Sequence, residues 1–162
     1  VIFSIILAIV IVILFVVEEK RIANVELEHK HNYGEQSFGI MMYVTKEMRS
    51  ITSKYENENL TDEDLENHYE ILNDYILSIY NQQPFPFISN IRNLRFTDKL
   101  DAASFNEDAY NKYMDIINYF DYTYHQVENN YTDDEFLDFY YTFESDEFNN
   151  KLEILIKALI SE

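Results

Sequence analysis

VIFSIILAIVIVILFVV, residues 1–17, contains no charge, no Gly and no Pro, and Ser4 is its only polar side chain. Backbone in hydrocarbon has to satisfy its own hydrogen bonds, so the run reads as a helix. At ~1.5 Å per residue it extends ~25 Å, slightly short of a hydrocarbon core of ~30 Å. Residues restored ahead of Val1, which is not Met, would complete the span. A core helix normally shows a polar face, and this run is apolar all round. A cleaved secretory signal would carry a basic region before the run and a small-residue cleavage site after it. Instead, Glu18-Glu19-Lys20-Arg21 follows. The expectation is a retained transmembrane anchor over 1–17, embedded in membrane lipid and flanked by Lys20 and Arg21. Nothing basic precedes the run, so the positive-inside rule gives a single-pass protein with its C-terminal domain in the cytoplasm. Two lysines on a longer N-terminal stub would reverse that orientation.

Composition bounds the rest. The 162 residues carry a formal net charge of −18. Phosphate recognition needs Lys and Arg, so a nucleic-acid partner is disfavoured. With 14 Tyr and 12 Phe the chain is too aromatic for a disordered one. It has only two Gly and two Pro, whereas a β-rich fold needs many tight turns. Few long helices need few of either, so the fold class is all-α. There is no Cys, which excludes disulfides, Cys zinc sites and Cys nucleophiles.

Residues 18–37 read as a juxtamembrane helix and linker that breaks first near Asn32-Tyr33-Gly34 or Gly39. Beyond it, Met41, Val44, Met48, Ile51 and Tyr55 form a helical stripe that ends at Glu56–Asn59. Thr61 caps a second helix, with Asp62, Glu63 and Asp64 at its positive end. Leu65, Tyr69, Leu72, Ile76 and Ile79 give that helix its apolar face, and it ends near Asn81. The segment 82–105 is a connection, with one helical turn around Ser89 to Leu94. Tyr110, Met114, Ile117, Phe120, Tyr124 and Val127 mark a further helix over about 106–127. Thr132 with Glu135 reads as a capping box for the next. Its stripe of Phe136, Tyr140 and Phe143 loses phase before Phe148, Leu152, Leu155 and Leu159. Ser145-Asp146-Glu147 supplies a fresh cap there, so two helices meet near Ser145. The predicted architecture is an N-terminal transmembrane helix followed by a small antiparallel bundle of four or five helices over 38–162.

Between Lys112 and Lys151 there is no Lys or Arg, but there are ten Asp or Glu, interleaved with seven Tyr and five Phe. A solvated helix face over an aromatic core accounts for this plainly. The functional reading is a negative surface that steers a basic protein partner. Its candidate residues are Asp115, Asp121, Glu128, Asp133, Asp134, Glu135 and Asp138. Pro84-Phe85-Pro86-Phe87 has two readings: a stiff linker whose Phe rings plug the bundle end, or an exposed docking loop presenting Phe85 and Phe87.

Catalytic chemistry finds no footing. No Ser lies in a nucleophile elbow, and two Gly cannot build a phosphate-cradling loop. Glu26-x-x-His29 has di-iron spacing, but neither His68 nor His125 supplies the second copy that such a site needs. Asp121 and His125, four apart on one helix face, read as a surface ion pair or a satisfied core histidine. No metal ligand, cofactor or catalytic residue is nominated.

Ile116-Ile117-Asn118-Tyr119-Phe120-Asp121, followed by Tyr131-Thr132-Asp133-Asp134-Glu135, is similar in pattern to a helix–cap–helix unit of uncharacterised single-pass membrane-anchored helical proteins of bacteria and phages. That resemblance implies a role in phage defence or exclusion and no catalytic residue. Two functions are therefore expected. One is a membrane-tethered acidic helical interaction module, not an enzyme, that binds a basic protein. The other is a membrane sensor or exclusion factor that forms a homo-oligomer through its transmembrane and juxtamembrane helix.

Overall fold

The computed structural model describes residues 2–80, 86–94, 101–130 and 134–160. Six helices form among them: α1 (Ile2–Glu56), α2 (Asp62–Tyr80), α3 (Pro86–Asn93), α4 (Glu107–Asn130), α5 (Glu135–Glu144) and α6 (Asp146–Ile160). The all-α class and the bundle are as the composition implies.

The anchor is not. Among the described residues no helix is long and apolar enough to cross a membrane. The apolar run is seventeen residues, and it passes without a break into Glu18-Glu19-Lys20-Arg21 and on to Glu56 within one helix. The transmembrane span over 1–17, the single-pass placement and the cytoplasmic orientation are withdrawn together. Arg21, expected to flank a membrane, instead pairs with Glu18 at 2.7 Å.

The expected breaks at Asn32–Gly34 and Gly39 do not occur either. Helical geometry tolerates Gly, and Gly34 serves here to let another helix approach. A Cβ on Gly34 would lie 1.8 Å from the Phe136 carbonyl oxygen and 3.1 Å from the Tyr140 nitrogen. So α5 crosses α1 backbone to backbone at that point. Around the crossing, His31 holds Asp134 at 2.8 Å, and Tyr33 meets Tyr140 edge-on at 5.5 Å.

From Tyr33 onward α1 is the spine of the core. Tyr33, Ile40, Met41, Val44, Met48 and Ile51 are all buried. α4 packs antiparallel along it, with Phe38 near Tyr124 at one end and Tyr55 near Tyr110 at the other. α2 returns antiparallel as well, tied by the Lys54–Asp64 ion pair and by Tyr43 against Tyr75. α1 ends as expected at Glu56. Glu58 takes φ 56°, its N–H donates to the Tyr55 carbonyl, and the Asn59 N–H reaches back to Lys54, each at 3.0 Å. This left-handed position normally carries Gly. Glu58→Gly is expected to raise stability by about 1 kcal/mol, read as a shift of the urea midpoint at constant slope.

The caps follow local chemistry. Thr61 and Asp64 bond reciprocally at the start of α2: the Asp64 N–H donates to Thr61 Oγ1, and the Thr61 N–H donates to Asp64 Oδ2. Thr132 lies outside the described residues. The N-cap of α5 is Asp134, which accepts from the Phe136 and Leu137 N–H groups. Ser145 accepts from the Phe148 N–H and opens α6, so the two helices do meet there.

α3 begins at Pro86, because Pro at the first helical position lacks only an N–H that would go unused anyway. It carries Phe87 into the core at 0 % exposure. Phe87 stacks on Phe143 at 4.6 Å, and Phe143 meets Phe148 at 5.2 Å. The docking-loop reading of Phe87 is thereby corrected, since three apolar faces close over the ring. Phe85 lies outside the described residues.

Candidate interaction groove

The seven carboxylates expected to form one surface are dispersed. Asp115 is exposed on α4. Asp121 pairs with Arg49 on α1 rather than with His125. Glu128 accepts from the Tyr124 hydroxyl at 3.3 Å and lies 3.1 Å from the His125 ring nitrogen. Asp133 is outside the described residues. Asp134 is the α5 cap and the partner of His31. Burial acts to raise the Asp134 pKa, but the His31 contact and the Phe136 and Leu137 N–H groups outweigh it and hold the carboxyl low. Glu135 is half-buried in the first turn of α5. Two of the seven line clefts: Asp121 one of about 410 Å³ between α1 and α4, and Asp138 a larger one.

The larger cleft is a groove of about 790 Å³ between α4, α5 and α6. Ser145 ends α5 and restarts the chain as α6, and the bend sets both helices against α4. The floor is Tyr119 stacked on Phe148 at 5.4 Å and 20°. The Tyr119 hydroxyl donates to the Phe148 carbonyl at 3.3 Å. Burial, and after it the nearby Glu147 carboxylate, pushes the Tyr119 pKa up to about 12, so the hydroxyl stays protonated and keeps that bond. Tyr122 and Tyr141 stand on the rim at 60 % and 56 % exposure. Asp138 and Glu147 supply negative charge, and Lys151 lines the same groove. Tyr141 already takes one cation: the Lys30 ammonium sits 5.9 Å from its ring centroid. No protein-family model, curated protein or solved structure matches the chain.

The rim residues Tyr122 and Tyr141 were not singled out in the sequence, and Glu147 was read only as part of a helix cap. The signal for them was present: on α4 and α5 these Tyr fall outside the buried stripe, and an aromatic ring off the core face is the unusual case.

Two histidine-related expectations resolve differently. Glu26 and His29 lie on a largely exposed stretch of α1, and among the described residues no group of three or more His, Asp or Glu is placed to hold a metal ion. His68, by contrast, is 3 % exposed, and neither ring nitrogen has a hydrogen-bond partner. Its neighbours are the Tyr69 and Tyr113 rings at 5.6 and 6.0 Å. Burial disfavours the imidazolium and pushes the pKa down to about 4 from 6.5. The unfolded chain then binds the proton that the folded one refuses. The protonation-linked cost of His68 is therefore absent above pH 6.5, and stability falls as the pH drops from there to about 4 and then levels. The loss approaches ~3 kcal/mol. His68→Leu is expected to remove this limb and to raise stability at neutral pH, because a buried polar group without partners is replaced by an apolar one. Urea titrations of both chains across pH 4–7 check it.

Proposed function

We propose that this chain is an acidic helical interaction module that binds a basic protein partner in the α4–α5–α6 groove, without catalytic chemistry of its own. One observation carries the reading: exposed Tyr122 and Tyr141 rings and the Asp138 and Glu147 carboxylates line one groove. A Lys or Arg side chain entering it would meet ring faces and carboxylates at once. Cation–π contacts contribute ~0.5–1 kcal/mol where exposed and ~2 kcal/mol where desolvated. The wider negative field of a chain at −18 would steer the encounter.

The test is titration with a short oligo-lysine peptide. Tyr122→Ala with Tyr141→Ala, and separately Asp138→Asn with Glu147→Gln, are expected to weaken binding about tenfold. Neutralising Glu63 and Glu66, exposed carboxylates on α2, should leave it nearly unchanged. Binding should also weaken steeply as salt is added. Equal losses from the α2 and groove variants would mean that only net charge is being sensed, and the groove would not be the site.

A further inference from the structure

Four lysines on the described helices have an acidic residue four positions before them, the spacing at which a helical ion pair forms. Three of them make that pair: Lys30 with Glu26 and Lys112 with Asp108, each at 2.7 Å, and Lys157 with Glu153 at 2.5 Å. The fourth does not. Lys151 and Glu147 are both exposed on α6, and among the described residues neither makes a hydrogen bond or an ion pair. Of these four lysines and their acidic neighbours, only Lys151 and Glu147 line the α4–α5–α6 groove. We infer that this groove takes a mixed-charge segment of its partner, a Lys or Arg together with a Glu or Asp about one helical turn away. The inference rests on the reading of the groove as the site for a basic partner and specifies what else that partner carries.

The two charges on α6 stand one turn apart, ~6 Å along the helix. Unbridged, they offer an acceptor and a donor to whatever enters. Glu147 belongs to the first turn of α6, where the positive end of the helix favours a carboxylate. With Asp138 and the exposed Tyr122 and Tyr141 rings it receives a cation. Lys151 is the only Lys or Arg lining the groove among the described residues, and it receives an anion. A purely basic segment would fill the first position and set its next ammonium against Lys151. A segment carrying both signs satisfies both positions, and the opposed charges fix its register.

This division also gives the groove a selectivity that net charge cannot. At −18 the chain attracts polycations over its whole surface. Lys151 disfavours them at the one place where aromatic rings and carboxylates meet, so it acts by rejecting the wrong partner as much as by holding the right one.

The probe is a helical peptide of no net charge in which each lysine lies one turn from a glutamate. It gains nothing from the long-range field. Its Kd, and that of a form with every glutamate replaced by glutamine, are measured by calorimetry on the full chain and on Lys151→Gln. The field acts on both proteins alike and cancels in the comparison. The glutamates are expected to favour binding about threefold more on the unmodified chain than on Lys151→Gln, the size of an exposed ion pair. Lys157→Gln, the same charge change on the same helix but outside the groove, should leave the glutamate effect as it is in the unmodified chain. Oligo-lysine should bind Lys151→Gln more tightly, about twofold to threefold. The groove as a site for basic residues is decided separately, by the tyrosine and carboxylate variants. No binding of the neutral peptide, or an equal glutamate effect on all three chains, would overturn the mixed-charge partner and leave that reading standing.

Discussion

Gly34→Ala is expected to lower the unfolding free energy by about 3 kcal/mol or more. The same change in an open helix would raise it by about 1 kcal/mol. The sign turns on one contact. A methyl group at Gly34 would stand 1.8 Å from the Phe136 carbonyl oxygen and 2.7 Å from its carbon. Neither atom belongs to a side chain that can rotate away, so α5 itself has to lift off α1. That movement pulls Asp134 from His31 and parts the Tyr33–Tyr140 contact. It also exposes Phe139, which is buried and stacked on Phe143 at 5.7 Å. Gly39→Ala is the matched control. It lies five residues on in the same helix with open space around it, and it should be stabilising. Urea midpoints for the two variants should therefore move in opposite directions. If they move together, the close crossing of α5 over α1 is wrong.

What the sequence made legible follows from periodicity and capping. The positions of α2, α4, α5 and α6 were readable because apolar residues recur at helical spacing and because Thr61 and Ser145 offer an oxygen to the first-turn N–H groups. Gly34 misled because a glycine in isolation reads as a breaker, whereas its use here depends on Phe136, a hundred residues away. Residues 1–17 misled because the apolar stretch is short of a full span and the helix it belongs to turns charged at Glu18. The groove was half legible. Charge named Asp138, but only the bend at Ser145 brings Glu147 beside it, and no one-dimensional pattern places α6 against α4. Asp134 was named for a surface and instead caps a helix, because a cap oxygen has first claim on nearby N–H groups.

Phe87→Ala separates the two meanings of the Pro-Phe-Pro-Phe segment. A docking ring contributes to a partner's binding and little to folding, whereas a core ring does the reverse. Phe87 is fully buried, stacked on Phe143 at 18° and within 5.8 Å of Phe148, with Phe120 edge-on at 6.4 Å. Truncation removes this ring from the middle of contacts that join α3, α4, α5 and α6. Large-to-small changes of this kind cost ~3–5 kcal/mol, made up of lost transfer energy and the cavity left behind. Against a total of ~5–15 kcal/mol for a domain, that is a large share. Phe87→Leu, which retains most of the apolar volume, should cost distinctly less. The two variants thus report on packing in graded fashion, by urea titration followed through the tyrosine signal. The same Phe87→Ala chain, while still folded, is expected to bind oligo-lysine in the groove more weakly only to the extent that Phe148, its neighbour and the groove floor, loses its support. A variant of unchanged stability would instead place Phe87 outside the core and return the segment to the surface.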